Sequence, residues 1–362
     1  MKFIMEAARI LVAGLFIFSG LIKLNDPVGM AIKLEEYFEV FATDLGSFFH
    51  VFVPYALPIA VFIIVLEVLL GVALMLNYKM VQTTILLLLL IMFFTGLTFY
   101  SAYFNKVTDC GCFGDAIKLT PWESFFKDAV LLVLSGIIFL NGSMFDPFIK
   151  KPILNGIMAG VLIVSVATGI YAINNLPFID FRTYKIGNHI PTLMAPSGEL
   201  KYEYVMTKDG EEHRFTDYPT DESYEFKEMV VLNPEVQPKI TDYGVWNDEG
   251  EFTMDTFEGN KLFVIVYNSA RASKDFEAIN ELVASLSSNV EVYALTSTDG
   301  NVFEPFLQEV GLNIPYYYAD ATVLKTIVRS NPGVWLLQEG TVKGKWHYRN
   351  TPSADEVMSL LN

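Results

Sequence analysis

The chain has 362 residues, enough for two domains, and 25 Lys and Arg against 41 Asp and Glu give it a formal net charge of −16. Residues 175–362 carry −14 of this charge, and residues 1–174 carry only −2. Nucleic-acid binding is disfavoured, because neutralising phosphates needs clustered Lys and Arg. A small disulfide framework is excluded as well, because the only two cysteines are Cys110 and Cys112.

Five segments of the first half approach the roughly 20 apolar residues that cross a bilayer. They are residues 4–24, 52–76, 81–104, 125–140 and 153–173. In a soluble protein such runs would leave no polar face for water. No small-residue cleavage site follows Lys23, so we interpret the first segment as a retained helix rather than a signal peptide. The sequence therefore predicts an α-helical membrane bundle.

Lys and Arg collect at the cytoplasmic ends of membrane spans. Here Lys2 and Arg9, Lys79, and the pair Lys150 and Lys151 mark three ends as cytoplasmic. Alternation of five spans then predicts a cytoplasmic N-terminus, with the cysteine loop and everything after the fifth span outside the cytoplasm. In a bacterium this is a multi-pass inner-membrane protein whose C-terminal domain lies in the periplasm, where disulfides persist.

The second half changes character after the last apolar run. Residues 181–240 are proline-rich with short alternating stretches, which predicts an extracytoplasmic linker of strands and loops. From residue 241 strands and helices alternate. The strands are expected at residues 261–267, 290–296, 334–338 and 343–348, and the helices at 273–286, 302–310 and 354–361. This order predicts an α/β domain over residues 241–362.

Cys110 and Cys112 lie two residues apart in a CGCFGD run at the end of the third span. Such a pair closes only a small, strained ring, and strain raises the reduction potential of a disulfide, which suits a pair that cycles. Gly111 supplies the backbone freedom that this ring needs. A purely structural pair is the alternative. A metal site has little support, because the loop holds no further cysteine and no histidine.

Glu67 falls near the middle of the second span. A carboxyl group at that depth is costly and should face the interior of the bundle with a partner, for which Arg9 and Lys23 are candidates. The sequence is compatible with two roles for Glu67, in helix packing or in proton transfer. Gly14, Gly20 and Gly71 are expected at close contacts between helices.

Several of these features together resemble the DoxX/MauE family of redox-associated membrane proteins, over about residues 5–142. The features are the run GLFIFSGLIKLNDP at residues 14–27, Glu67 followed by Gly71, and CGCFGD before a span entered by Thr120-Pro121-Trp122. The resemblance implies a four-helix membrane bundle, here residues 1–145, with residues 146–180 as a fifth, tethering helix. It also implies a part in periplasmic thiol–disulfide or electron transfer, as in maturation of the disulfide-rich subunit of methylamine dehydrogenase.

The C-terminal domain resembles thioredoxin-like proteins. Residues 240–251 are similar to their opening strand and turn, and Pro332 stands where the family has its cis-proline, a substrate-facing position. The segment 267–273, at the place of the family's CxxC, contains no cysteine. Such a domain cannot exchange disulfides, but it can still bind an extended polypeptide.

The leading hypothesis is therefore a redox protein in which Cys110 and Cys112 form a reversible disulfide. A periplasmic client or redox partner would bind the thioredoxin-like domain, and a quinone is a candidate electron carrier. The rival is a non-enzymatic assembly or binding subunit with a structural cysteine pair. A small-solute transporter has less support, because the spans show only one obvious buried charge, Glu67, and no pair of interrupted helices.

Overall fold

The computed structural model describes residues 2–107, 111–147 and 149–362. The chain divides into two compact units, Met1–Phe181 and Arg182–Asn362. The first unit is helical and the second is built on β-sheets.

The described part of the first unit contains six α-helices and two 3₁₀ segments, the shorter of which is Gly142–Met144. The other elements are α1 (Lys2–Asn25), α2 (Pro27–Asp44), the 3₁₀ helix Ser47–Tyr55, α3 (Ala56–Met75), α4 (Met80–Phe104), α5 (Pro121–Leu140) and α6 (Lys151–Asn175). Four stretches are long and apolar enough to cross a membrane: Phe3–Asn25, Ser47–Met75, Met80–Phe104 and Lys151–Asn175. The protein is a membrane protein, as the sequence predicted.

The predicted span at residues 125–140 differs from the other four. It is helical, and α5 begins with a capping box in which Thr120 and Glu123 each bond to the other's backbone N–H. However, Glu123, Lys127 and Asp128 lie in its first half. Because of these charges, α5 is not among the four stretches whose length and composition are those of a membrane span.

Helix α2 was not predicted. It lies between the first two predicted spans, where Asp26 caps the helix by accepting a hydrogen bond from the Gly29 N–H (2.8 Å) and Pro27 occupies the first turn. Buried side chains recur at helical spacing and face the bundle, which makes α2 amphipathic. They are Met30, Ala31, Leu34, Tyr37 and Ala42.

Glycines let α1 and α3 approach each other closely. A Cβ atom on Gly71 would lie 2.9 Å from the backbone nitrogen of Ile17, and one on Gly20 would lie 2.6 Å from a methyl group of Val68. Both confirm the expected helix contacts. The expectation for Gly14 was wrong, because a Cβ atom there meets nothing within 4 Å.

The second unit contains five short helices and ten strands in its described residues. The helices are α7 (Ile190–Met194), α8 (Glu277–Ser285), α9 (Gly300–Glu309), α10 (Ala321–Ile327) and α11 (Ala354–Leu361). The strands are β1 (Tyr202–Lys208), β2 (Glu211–Phe215), β3 (Glu225–Val231), β4 (Val245–Asn247), β5 (Gly250–Glu251), β6 (Asn260–Val266), β7 (Glu291–Thr296), β8 (Tyr316–Ala319), β9 (Gly333–Gln338) and β10 (Thr341–His347).

Seven of these strands form one sheet in the order β10-β9-β6-β7-β8-β4-β5. Strands β6, β7 and β8 are parallel, and β9 pairs antiparallel to β6, with Val264 opposite both Ala294 and Val334. Helices α8, α9 and α11 contribute to a core with one face of this sheet. The predicted strands and helices of residues 261–361 are confirmed to within four residues, but β8 and α10 were missed.

The predicted linker, residues 181–240, holds a separate three-stranded antiparallel sheet with β1 at its centre. Strands β1 and β2 are joined by Asp209-Gly210, both with positive φ, as a tight hairpin requires. The start of this region belongs to the core of the domain rather than to a linker. Tyr184 is 2% exposed and packs on Tyr243 and Trp335, and the N–H groups of Gly187 and Ile190 donate to carbonyls of the β9–β10 hairpin.

Candidate functional site

The cysteine loop follows α4 at one end of the helical unit. Cys110, together with Thr108 and Asp109, lies outside the described residues, so the structure shows the place of Cys112 alone. Cys112 is 7% exposed. Two successive turns shape the chain around it, in which Gly114 and Ala116 donate to the carbonyls of Gly111 and Phe113. Gly111 and Gly114 have φ of 64° and 51°, conformations that favour glycine.

Side chains from two helices hold this loop against the bundle. The Ser19 hydroxyl on α1 donates a buried hydrogen bond of 2.7 Å to the carbonyl oxygen of Cys112. The ring of Phe113 lies 5.7 Å from that of Phe18, and the Lys127 ammonium on α5 lies 5.0 Å from the centre of the Phe113 ring. Cys112 is therefore fixed where α1 and α5 meet the loop.

One helical turn beyond Ser19, Lys23 forms a buried ion pair with Glu67 of α3. The Nζ and Oε2 atoms are 2.8 Å apart, and each side chain is 4% exposed. Lys23 also lies over the ring of Phe94, at 4.6 Å. Of the two partners that the sequence suggested for Glu67, the structure shows Lys23. Arg9 instead pairs with Glu6 and donates to the last carbonyls of α3, those of Leu74 and Met75.

A second ion pair on α5 lies beside the first. The Lys127 ammonium is 2.6 Å from Asp128, and Thr98 of α4 donates a 3.2 Å hydrogen bond to the same carboxylate. Asp128 is almost completely buried. The sequence analysis missed this pair as a site, although a charged residue inside a predicted span is the signal that singled out Glu67.

Both ion pairs, Ser19 and Cys112 line one small cavity of about 20 Å³, which has room for about one water molecule. We call its polar lining the polar cluster: Ser19, Lys23, Glu67, Cys112, Lys127 and Asp128. The cluster holds two ammonium and two carboxylate groups, so its ion pairs are formally neutral. Apolar side chains, including Leu15, Phe16 and Leu131, complete the wall. Cys112, one buried ion pair and one partly buried ion pair therefore line one space inside the helical unit.

Three further hydrogen bonds connect the ends of the helices to other segments. The side-chain amide of Asn25, the last residue of α1, donates to the carbonyl of Ile179 and accepts from its N–H, both at 2.9 Å. Because Ser19 of the same helix bonds to Cys112, the cysteine loop and the exit of α6 lie near the same end of α1. At the opposite end, Tyr78 before α4 donates to Asn155 of α6 at 2.8 Å.

In the second unit, Pro332 follows a cis peptide bond from Asn331, and its side chain is buried. Its neighbours contact the segment that the sequence placed at the CxxC position. The Asn331 amide donates to the carbonyl of Asn268 at 2.7 Å, and the Ser273 N–H donates to the carbonyl of Asn331 at 2.9 Å. These two segments are therefore adjacent. The role of Pro332 in facing a client stays a prediction.

One comparison with known proteins gives a match, and it covers most of the helical unit. Residues 1–141 match the family model of the methylamine utilisation protein MauE. No match to the chain was found among curated proteins or among solved structures. The matched residues contain Glu67, both cysteines, and helices α1 to α5 with the whole of the polar cluster. Residues 1–141 of this chain are therefore similar to MauE, and the match does not extend to the second unit.

Proposed function

We propose that this chain is a membrane thiol–disulfide protein that acts on exported proteins during their maturation, with Cys110 and Cys112 as its redox pair. One observation carries the proposal above all. Cys112 is buried against a built polar cluster, in contact with two helices, rather than displayed on a free loop. The match to a methylamine utilisation protein supports a part in assembling an exported enzyme.

The proposed reaction is thiol–disulfide exchange. A thiolate of the client attacks one sulfur of the Cys110–Cys112 disulfide, the bond between the two cysteines breaks, and a mixed disulfide forms. The expelled cysteine sulfur leaves as a thiolate and takes up a proton. A second client thiolate then attacks the mixed disulfide, which leaves a client disulfide and a reduced Cys110–Cys112 pair. Two electrons have passed from the client to the membrane protein.

A reduced pair must be reoxidised before it can act again. We propose an acceptor of the quinone class, which takes the two electrons and two protons of the dithiol. The Lys23 and Lys127 ammonium groups, each paired with a carboxylate, line the same cavity as Cys112. Glu67 and Asp128 balance these charges, so the cluster tolerates burial.

We further propose that the cysteine pair and the second unit face the periplasm from a bacterial inner membrane. The hydrogen bonds of Asn25 with Ile179 and of Ser19 with Cys112 support a common side for the cysteine loop and the chain after α6. In this arrangement α5 also crosses the bilayer. The second unit, proposed to be thioredoxin-like without a CxxC, would hold a client near the cysteines.

Trapping a mixed disulfide tests the proposal. In full-length protein with Cys112→Ala, the Cys110 thiolate can attack a disulfide of the client and expel one client thiolate, which is the reverse of the last exchange step. The variant lacks the Cys112 thiol that would then release the client. We expect a reductant-sensitive adduct between Cys110 and an exported protein, which vanishes in the control carrying both Cys110→Ala and Cys112→Ala. If no adduct forms, and the wild-type pair keeps one redox state in both oxidising and reducing strains, the exchange function is wrong.

A second candidate is a non-enzymatic assembly subunit whose cysteines only tie the loop. The low exposure of Cys112, 7%, and the hydrogen bond that fixes its carbonyl favour this role. The two candidates differ in the effect of Cys110→Ser and Cys112→Ser on client maturation. Loss of maturation supports exchange. Normal maturation, together with a defect from substitutions on the surface of the second unit, supports the assembly role.

A further inference from the structure

A second cavity lies at the opposite end of the helical unit from Cys112, on the surface shared by α3, α4 and α6. It is an open groove of about 370 Å³. Its apolar walls include Leu69 and Ala73 from α3, Leu86 from α4 and Leu162 from α6. The stretch from Lys79 to Leu86 along α4 corresponds to a depth of about 10 Å at 1.5 Å per residue.

The groove is polar at one end only. Tyr78, Lys79, Gln82 and Thr83 line it where α4 begins, and aliphatic side chains line the rest. Since the Tyr78 hydroxyl bonds to Asn155 near the start of α6, the polar end lies at the ends of these helices and the apolar part lies deeper between them. This gradient matches a molecule with a polar head at the membrane surface and a hydrocarbon chain below it.

The charge at the polar end of the groove indicates which kind of head group would bind there. Lys79 is exposed, and its ammonium lies 5.3 Å from the centre of the Tyr78 ring. No carboxylate lines the groove, and no salt bridge to Lys79 occurs in the part of the chain that the structure describes. The first backbone N–H groups of the 25-residue helix α4 also open at this end without a side-chain cap. An anionic phosphate complements both features.

We propose that this groove binds one phospholipid of the surrounding membrane, with an acyl chain between α3, α4 and α6 and an anionic head group on Lys79. The site is distinct from the polar cluster and does not depend on the proposed redox function. Binding of this lipid would hold α6 against α3 and α4 at the end where Tyr78 and Asn155 are the polar link.

Native mass spectrometry of the full-length protein in detergent tests the site, with dioleoyl-phosphatidylglycerol and dioleoyl-phosphatidylcholine as probes. The two lipids share their acyl chains and differ in net charge. We expect one tightly retained phosphatidylglycerol, and we expect Lys79→Gln to reduce its preference over phosphatidylcholine by about fivefold. Lys151→Gln is the matched control, because it removes a charge at the same ends of the helices without lining the groove.

A second variant tests the apolar part. Ala159 is exposed on α6 and lines the groove, so Ala159→Trp should fill it and abolish retention of both lipids. The proposal is wrong if Lys79→Gln and Lys151→Gln have equal effects, or if Ala159→Trp retains the lipid. It is also wrong if the wild type carries no lipid and Ala159→Trp dissociates a dimer, because the occupant would then be a second copy of the chain.

Discussion

The ammonium of Lys23 and the carboxylate of Glu67 lie 2.8 Å apart, and both side chains are 4% exposed. The pair joins α1 to α3 inside the unit that crosses the membrane, one turn from the hydroxyl that holds the cysteine loop. Substitutions in this ion pair therefore test both the stability of the helix bundle and the position of Cys112.

Replacing one partner of the ion pair should destabilise the protein more than replacing both partners with apolar residues. Glu67→Leu leaves a buried ammonium without its partner and should lower the free energy of unfolding by about 3–5 kcal/mol. Adding Lys23→Met should recover most of this loss. Unfolding in mixed micelles, followed by the fluorescence of Trp122, measures both variants. The partly exposed pair of Lys106 and Asp44 is the control, and Lys106→Met should cost less than about 1 kcal/mol. A double variant no more stable than Glu67→Leu would contradict the prediction.

The hydrogen bond from Ser19 should control access to Cys112. In a Cys110→Ser background, Ser19→Ala should lower the free energy of unfolding by about 1 kcal/mol. It should also increase the rate at which a maleimide labels Cys112, because the loop loses its buried tie to α1. Ser135→Ala is a matched control, since the buried Ser135 hydroxyl has no hydrogen-bond partner among the described residues. Equal labelling rates in the two variants would show that Ser19 does not hold the loop.

The close approach of α1 and α3 gives a test with three glycines. Gly71→Ala should destabilise the bundle by about 1–3 kcal/mol, because the new methyl group would lie 2.9 Å from a backbone nitrogen. Gly14→Ala, on the facing helix, meets nothing within 4 Å and should be neutral or stabilising by up to about 1 kcal/mol. Thermal unfolding in detergent ranks them. Gly20→Ala should also be destabilising, because its methyl group would lie 2.6 Å from a methyl group of Val68 and 3.2 Å from the Val68 backbone nitrogen. A Gly14 variant as unstable as the Gly71 variant would refute this packing.

Tyr184 tests whether the start of the predicted linker is part of the domain core. Its ring is 2% exposed, so Tyr184→Ala should cost about 3–5 kcal/mol, as for other buried aromatic residues. Burial also raises the pKa of Tyr184, and its hydroxyl has no hydrogen-bond partner among the described residues. Tyr184→Phe should therefore be neutral or slightly stabilising. Chemical denaturation monitored by Trp335, which contacts the ring, measures both. A large loss in the Phe variant would reveal a partner for the hydroxyl.

His347 should make the second unit less stable in mild acid. Burial, and to a lesser extent the charge of Arg349, lower the pKa of His347 to about 4. An unfolded histidine titrates near 6.5, so between about pH 6.5 and 4 the unfolded chain binds a proton that the folded chain does not. The free energy of unfolding should fall as pH decreases through this window, by up to about 3 kcal/mol.

The imidazole proton shifts of His347 in an NMR titration measure its pKa directly. His347→Gln should weaken the dependence of stability on pH in the same window, because glutamine does not titrate. A folded-state midpoint near pH 6.5 would contradict the prediction.

Much of this molecule follows from local sequence. The four candidate membrane spans follow from apolar runs that are too long for a buried helix of a soluble protein. Within a bilayer, backbone N–H and C=O groups find hydrogen-bond partners inside a helix, so these runs are expected to be helical. The same pattern singled out Glu67, because a carboxylate in such a run must have a partner. Alternating apolar segments determined most of the strands and helices of the second unit. Helix α2 was not predicted, because its glutamates interrupt the apolar run that a membrane span requires.

Only the tertiary structure decided which groups meet. The sequence left Arg9 and Lys23 equal as partners for Glu67, and the packing of α1 on α3 through Gly20 and Gly71 selects Lys23. It likewise brings Cys112 beside two ion pairs contributed by α1, α3 and α5. The physical reason is that hydropathy and helical periodicity depend only on residues that are close to each other along the chain. A buried ion pair depends on the register between helices, which close packing at a few glycines determines.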